Sequence, residues 1–152
     1  MKKLVLALVM LGDAALAGVY GRYGVTLDVP GGFEMLPPPG NDDGRGFTDR
    51  AGGRLSVWGS WQIEPLADER AFRKSSYLEQ GAEITYEAGG KTWFVLSGYL
   101  GREVFYLRVE DGQTCGGEDA RAFFEVTYPV EFRSRYDDLP GRFGKSLGFG
   151  PC

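Results

Sequence analysis

The 152-residue sequence contains no histidine. That absence removes the Ser-His-Asp triad, the Cys-His pair and any His-bearing zinc site, because the usual base near neutral pH and the commonest nitrogen ligand are both missing. Mainly carboxylate, lysine and tyrosine chemistry remains. Positive charge is scarce as well: 17 Lys and Arg stand against 21 Asp and Glu, a net charge of −4. A nucleic-acid partner is therefore not expected, since such binders carry a basic patch or stripe. Gly-rich stretches are present, but none runs into the Gly-Lys-Ser/Thr that cradles phosphate, so they read as turns that close hairpins. No cofactor is implied.

Long apolar runs are also missing. The N-terminal run from Leu4 to Leu11 stops at Gly12-Asp13, far short of the about 20 residues needed to cross a bilayer. Lys2 and Lys3 before that run, and Ala15-Leu16-Ala17 after it, describe instead a secretory signal peptide cleaved between Ala17 and Gly18. No cysteine lies near the cleavage region, which argues against a lipid anchor. The expected organisation is residues 1–17 as signal peptide and 18–152 as one domain, without a membrane span, in the periplasm or secreted. Cleavage takes 17 residues from 152, leaving 135, and removing two lysines and one aspartate moves the net charge from −4 to −5. A chain of this length can bury roughly two thirds of its unfolded surface, enough for one core.

Export bears on the two cysteines. Cys115 sits in the turn Thr114-Cys115-Gly116-Gly117, and Cys152 is the last residue. In an oxidising compartment the simplest reading is one disulfide tying the tail to that turn, contributing about 3–4 kcal/mol on the chain-entropy model. Free or intermolecular thiols are the alternative. A nucleophile is disfavoured, because there is no C-x-x-C and no adjacent basic residue to lower a thiol pKa.

Strand patterns dominate the centre. Tyr23, Val25, Leu27 and Val29 alternate with Gly24, Thr26 and Asp28, the period of a half-buried strand. Strand-like segments 46–49 and 54–60 flank Arg50-Ala51-Gly52-Gly53 as a hairpin, with Leu55 and Val57 inward. Segments 81–87, 91–98, 102–110 and 121–129 follow with short connections, which favours an antiparallel meander. In the last, Ala122, Phe124, Val126 and Tyr128 share one face. Pro37-Pro38-Pro39 leads into Asn41-Asp42-Asp43-Gly44 as a long loop within the domain, the prolines stiffening it. Helical spacing is expected twice. Between Pro65 and Gln80, Ala67, Ala71, Phe72 and Leu78 make a stripe, with Glu69 and Arg73 as an i,i+4 pair. Near the end Phe132, Tyr136, Leu139, Phe143 and Leu147 make a second stripe, and Pro140-Gly141 should kink or split it, with Asp137 or Asp138 capping the second half. The fold class is α+β: a largely antiparallel sheet covered by two helices.

The segments Arg22-Tyr23-Gly24-Val25, Asn41 to Phe47, Leu55 to Ser60, Trp93 to Gly98, Val104-Phe105-Tyr106 and Val126 to Pro129 resemble, in the same order, a group of small exported bacterial proteins. The resemblance runs over about residues 21–147. The strand and helix order is similar to the PsbP-like α/β sandwich, a fold shared by the photosystem extrinsic protein and a Ran-binding nuclear-import factor. It implies binding and accessory roles and transfers no catalytic signature. Asp42 stands where the group usually has Gly, which should stiffen the turn, and Pro140-Gly141 interrupts a helix that is usually continuous.

Candidate binding residues are Asn41, Asp42 and Asp43, and the indoles of Trp58 and Trp61. The loop carboxylates offer oxygen ligands for a hard cation, but an EF-hand register places Pro39 at position 1 and Arg50 at position 12, so a solvated turn is the favoured reading. Trp58, Trp61 and Trp93 offer an aromatic platform, against which stands the usual fate of large aromatics as core. Trp58 has the parity of Arg54, Ser56 and Ser60, which puts it half-exposed or beneath a helix. The acidic doublets Asp42/Asp43, Glu110/Asp111, Glu118/Asp119 and Asp137/Asp138 suggest glycosidase chemistry only if two carboxylates face across a cleft. The leading expectation is a monomeric, non-enzymatic binding or accessory module of the cell envelope with an unidentified partner or ligand. The alternative is a carboxylate-dependent hydrolase acting on envelope glycan.

Overall fold

Ten strands and three helices follow one another in a computed structural model that describes residues 16–152. The expected signal segment lies outside the described residues as far as position 15. The chain opens with β1 (Leu16–Tyr20) and β2 (Val25–Val29), then β3 (Glu34–Met35), β4 (Gly44–Thr48) and β5 (Arg54–Trp61). Helix α1 (Leu66–Glu79) leads to β6 (Glu83–Gly89), β7 (Trp93–Leu100), β8 (Glu103–Gln113) and β9 (Asp119–Pro129). A 3-10 turn (Val130–Phe132), α2 (Arg133–Tyr136), α3 (Leu139–Ser146) and β10 (Gly148–Phe149) end it. Cleavage after Ala17 would remove two residues of β1, leaving Gly18, Val19 and Tyr20 paired with Leu27, Thr26 and Val25.

The α+β class is confirmed, and the topology adds two features. Seven strands form one antiparallel sheet in the order β3-β4-β5-β9-β8-β7-β6. It is two meanders rather than one: α1 carries the chain from β5 to the far edge, and β9 returns to pair with β5 from Arg54↔Thr127 to Trp61↔Ala120. The second feature is a small sheet, β1-β2-β10, so the cover of the main sheet is part sheet and part helix rather than two helices alone.

Strand alternation divides the core between the two faces. Leu55 and Val57 with Ala122, Phe124, Val126 and Tyr128 pack against Val25 and Leu27 of the small sheet and against Tyr136, Phe143 and Leu147 of the C-terminal segment. Gly59 lies at the closest approach of the two sheets, where a Cβ would come within 2.7 Å of the Tyr23 Cβ. The opposite face buries Phe94, Leu96, Phe105, Leu107, Val109 and Phe123 with Tyr77 of α1.

The buried face of α1 departs from expectation. Ala67, Ala71, Phe72 and Leu78 all face solvent, Phe72 with 63% of its surface exposed. The helix instead buries Glu69 and Tyr77, with Leu66 and Arg73 partly covered. Glu69 and Arg73 pair at 2.9 Å as expected, and Glu69 also lies 4.0 Å from Arg121. Arg121 is 2% exposed and sends Nε to Asp111 at 2.6 Å and one terminal nitrogen to the Glu64 carbonyl at 2.9 Å. Helix and sheet are thus joined through satisfied charges, which a count of apolar residues does not register. Pro65 stands at the N-cap position immediately before the helix.

The C-terminal stripe splits as expected, at Asp137 and Asp138. Pro140 then sits within the first turn of α3, where its missing N–H has no intrahelical partner to lose. Asp138 occupies the cap position without a side-chain hydrogen bond. Tyr136 donates to the Asp49 carboxylate at 2.6 Å, and that carboxylate also accepts from the Ala51 and Gly53 amides of the β4–β5 turn. Cys115 and Cys152 lie at disulfide distance, sulfurs 2.11 Å and Cα atoms 5.3 Å apart across 37 residues. The bridge clasps the tail beyond β10 to the β8–β9 turn. No described helix is long and apolar enough to cross a membrane.

Candidate functional site

The face that carries α1 is only half covered. Helix α1 packs over β6 and β7 and reaches β8 through Tyr77. Beyond it, β9, β5 and β4 form the floor of a trough whose far wall is the segment Leu36 to Pro39. Alternation selects the floor residues: Arg54, Ser56 and Trp58 on β5 stand beside Thr127, Glu125 and Phe123 on β9. The trough consists of a cavity of about 280 Å³ against α1 and one of about 450 Å³ against Pro37 and Pro39. Trp58 and Glu125 line both, so they mark where the two cavities meet.

Trp58 stacks on Phe123 with ring centroids 4.8 Å apart and planes 7° from parallel. Across from it on the other side, β4 presents Gly44. A Cβ there would collide with the Val57 carbonyl oxygen and lie 2.5 Å from the Trp58 Cβ, so the missing side chain lets β4 approach the β5 backbone closely, while Trp58 lines the larger cavity. The Arg73 guanidinium stands over the Trp58 and Phe123 rings at 5.7 and 5.2 Å.

Glu125 occupies the middle strand of the seven. It accepts a hydrogen bond from the Tyr77 hydroxyl. Burial first, then the charge of Glu125, hold that hydroxyl well above the usual phenol range, so Tyr77 remains the donor. The trough's three arginines are each engaged by another carboxylate: Arg45 by Asp42 at 2.6 Å, Arg54 by Glu103 at 2.5 Å and Arg73 by Glu69 at 2.9 Å. Among the described residues no lysine or arginine forms an ion pair with Glu125.

The sequence candidates are partly brought together. Trp58 and Asp43 line the trough, but Trp61 lies on the opposite face of β5, edge-on to Tyr23 at 4.8 Å. Residues three apart on a strand cannot share a face, so Trp58 and Trp61 form no common platform. Trp93 stands elsewhere again, beneath the Arg108 guanidinium at 4.5 Å. Asn41 donates to Asp43 at 3.0 Å, and the backbone carbonyls of Asp42 and Asp43 accept from Arg22 and Gly59. The loop therefore serves as a backbone-anchored turn. Among the described residues no three acidic or thiol side chains gather to hold a metal ion. Asp42 has φ of 52°, the left-handed region where glycine is easiest.

The acidic doublets point to separate places. Asp111 serves Arg121, Glu110 serves Arg108, Asp137 accepts from Tyr128 and Asp119 from Gln113. Glu103 and Glu125 do line one cavity. Their strand partners are Pro129 and Leu107, which separates their backbones by four residues along the sheet, roughly 13 Å. Glu125, Tyr77 and Arg54 were not singled out by the sequence. The available signal for Glu125 was a carboxylate in the outward phase of the most apolar strand, after Phe123 on the same face.

The architecture is that of a PsbP-like α+β protein. Similar solved structures include cyanobacterial PsbP (CyanoP) from Synechocystis sp. PCC 6803, at TM-score 0.62 and 15% identity over 93% of this chain and 96% of that one. The Saccharomyces cerevisiae Ran-binding protein Mog1p is similar at TM-score 0.56 and 13% identity, over 90% of this chain and 96% of that one. No family model and no curated protein matches the sequence.

Proposed function

We propose that the protein is an exported, non-enzymatic module of the cell envelope that holds a protein partner in the trough between α1 and Leu36 to Pro39. The observation that carries this reading is the junction of two cavities at Trp58 and Glu125, an aromatic side chain and a carboxylate without an ion-pair partner among the described residues, both on adjacent strands in the middle of the main sheet. Rigid strands suit a preformed binding site. That one protein of similar fold is described as Ran-binding supports a binding role for the architecture. The disulfide-distance cysteines support an oxidising compartment. The glycan-hydrolase alternative finds less support in a trough where Glu103 is engaged by Arg54.

A photo-cross-linking residue at Ser56, on the trough floor, tests the reading in the envelope of the producing cell. A discrete protein adduct is expected from Ser56 and none from Ser134, an exposed position on α2. Absence of an adduct at Ser56, or the same adducts from both positions, refutes it.

A further inference from the structure

Resting on the trough as a protein-binding site, we propose that the group it recognises is a cation, the ammonium or guanidinium of a Lys or Arg side chain in a basic segment of the partner. Three observations converge. Glu125 is a carboxylate at the junction of the two cavities whose side-chain partner is a neutral hydroxyl, while Arg45, Arg54 and Arg73 are each held by Asp42, Glu103 and Glu69. A carboxylate shielded on a sheet face gains more from an incoming cation than one in open water, because the pair interacts through less solvent.

The second observation is the indole. Trp58 lines both cavities, and an electron-rich indole face attracts cations within about 6 Å of its centroid. Arg73 already stands 5.7 Å from that ring, which indicates that the ring pair accepts a guanidinium from the α1 side. The third is charge at long range. The chain carries −4 as written, so a basic segment is drawn toward it and an acidic one is repelled.

The shape fits a side chain on an extended segment better than a free small cation. Together the cavities offer several times the volume a single guanidinium fills, and the wall at Leu36 and Pro37 is apolar. An aliphatic stem passing over Trp58 and Pro37, with its charged head at Glu125, uses both kinds of surface.

Titration of the exported chain with blocked tetra-arginine and tetra-lysine peptides, followed by Trp fluorescence and calorimetry, tests the assignment. Both peptides are expected to bind and tetra-glutamate is not. Glu125→Gln is expected to weaken binding about tenfold or more, the scale of one lost hydrogen bond to a charged group. Neutralising the remote pair Glu118 and Asp119 together removes more charge, yet should change affinity less than about twofold, as expected for rim or distant charges. Equal loss in both variants, binding of tetra-glutamate, or equal affinity for ethylguanidinium alone overturns the proposal.

A second measurement needs no substitution. Carbodiimide coupling of the tetra-lysine peptide to the unaltered protein is expected to mark Glu125. Adducts confined to exposed carboxylates such as Glu118 and Asp119 overturn the assignment. A partner captured at Ser56 whose affinity is unchanged by Glu125→Gln leaves the trough as the binding site and removes the cation as its ligand.

Discussion

Arg121 is the residue whose loss should be felt most. Its side chain is 2% exposed on β9, and its guanidinium meets Asp111 at 2.6 and 3.3 Å, the Glu64 carbonyl at 2.9 Å and Glu69 at 4.0 Å. Arg121→Ala leaves the Asp111 and Glu69 carboxylates, 18% and 10% exposed, without that cation. Breaking a buried pair from one side costs about 3–5 kcal/mol, because the remaining charge stays desolvated. For a domain of this size each kcal/mol moves the midpoint by about 2–4 °C, so a fall of roughly 6–20 °C is expected. Urea unfolding should show a lower midpoint with unchanged slope, the sign of lost stability without a changed denatured state. Arg121→Met with Asp111→Leu should recover much of the loss, since an apolar replacement of both partners is often close to neutral. A loss below about 1 kcal/mol for Arg121→Ala, the scale of a surface pair, would refute the account of how α1 is held.

Other outcomes follow from particular contacts. Reducing the Cys115 to Cys152 bridge, or Cys152→Ser, should lower stability by about 3–4 kcal/mol and should release the tail to carboxypeptidase; an unchanged urea midpoint refutes the clasp. At Asp42, with φ of 52°, Ala should cost about 1–2 kcal/mol, whereas Gly should stay within about 1 kcal/mol, trading backbone strain against the exposed Arg45 pair; equal losses refute the strain. Burial, then the Asp49 hydrogen bond, push Tyr136 up to about 12 from 10.0. Its contribution is therefore complete below pH 10 and is lost as pH rises through about 12, so ultraviolet titration should show late tyrosinate formation coupled to unfolding, and Tyr136→Phe should lower the late amplitude by one tyrosine, with Tyr77 and Tyr128 still ionising late. Gly59→Ala places a Cβ 2.7 and 2.8 Å from Tyr23 and Val25 and should cost about 1–3 kcal/mol by overpacking; a neutral thermal midpoint refutes the close approach.

What the sequence revealed was mostly local. The alternation that set Leu55 and Val57 apart from Trp58 reads directly as two faces of β5, and the same rule, applied one step further, separates Trp58 from Trp61. The β5–β9 pairing was not legible, because partners such as Ser56 and Glu125 are distant in sequence and only the crossover through α1 brings them together. Nor was the small sheet: β10 is Gly148–Phe149, too short for any periodicity, and depends on β2 to exist. In α1 the apolar stripe misled because Glu69, Arg73 and Tyr77 are buried through tertiary partners that a helical wheel does not contain. The trough was half visible through Trp58 and Asp43, while Glu125 was hidden by its phase among aromatic residues.

The position of the trough follows from the widths of the parts. Seven strands at about 4.8 Å spacing make a sheet roughly 29 Å across, while one helix covers about 10–12 Å. The small sheet and the C-terminal helices pack on the first face over β5, β9 and β8, but α1 alone serves the second, and the charges of Arg70 and Lys74 on Glu87 hold it toward the β6 edge. Some of that face must therefore remain uncovered. A fold that only needed solvation there would place polar side chains throughout, as Arg54 and Ser56 do. Trp58, Leu36 and Pro37 do not follow that rule, and Glu125 sits among them without a cation although Arg54 and Arg73 are near enough to line the same cavity. Each of those arginines is instead held by its own carboxylate, Glu103 or Glu69. That arrangement keeps Glu125 available, which is what a site for an external cation requires and what a purely structural ion-pair network would have used up.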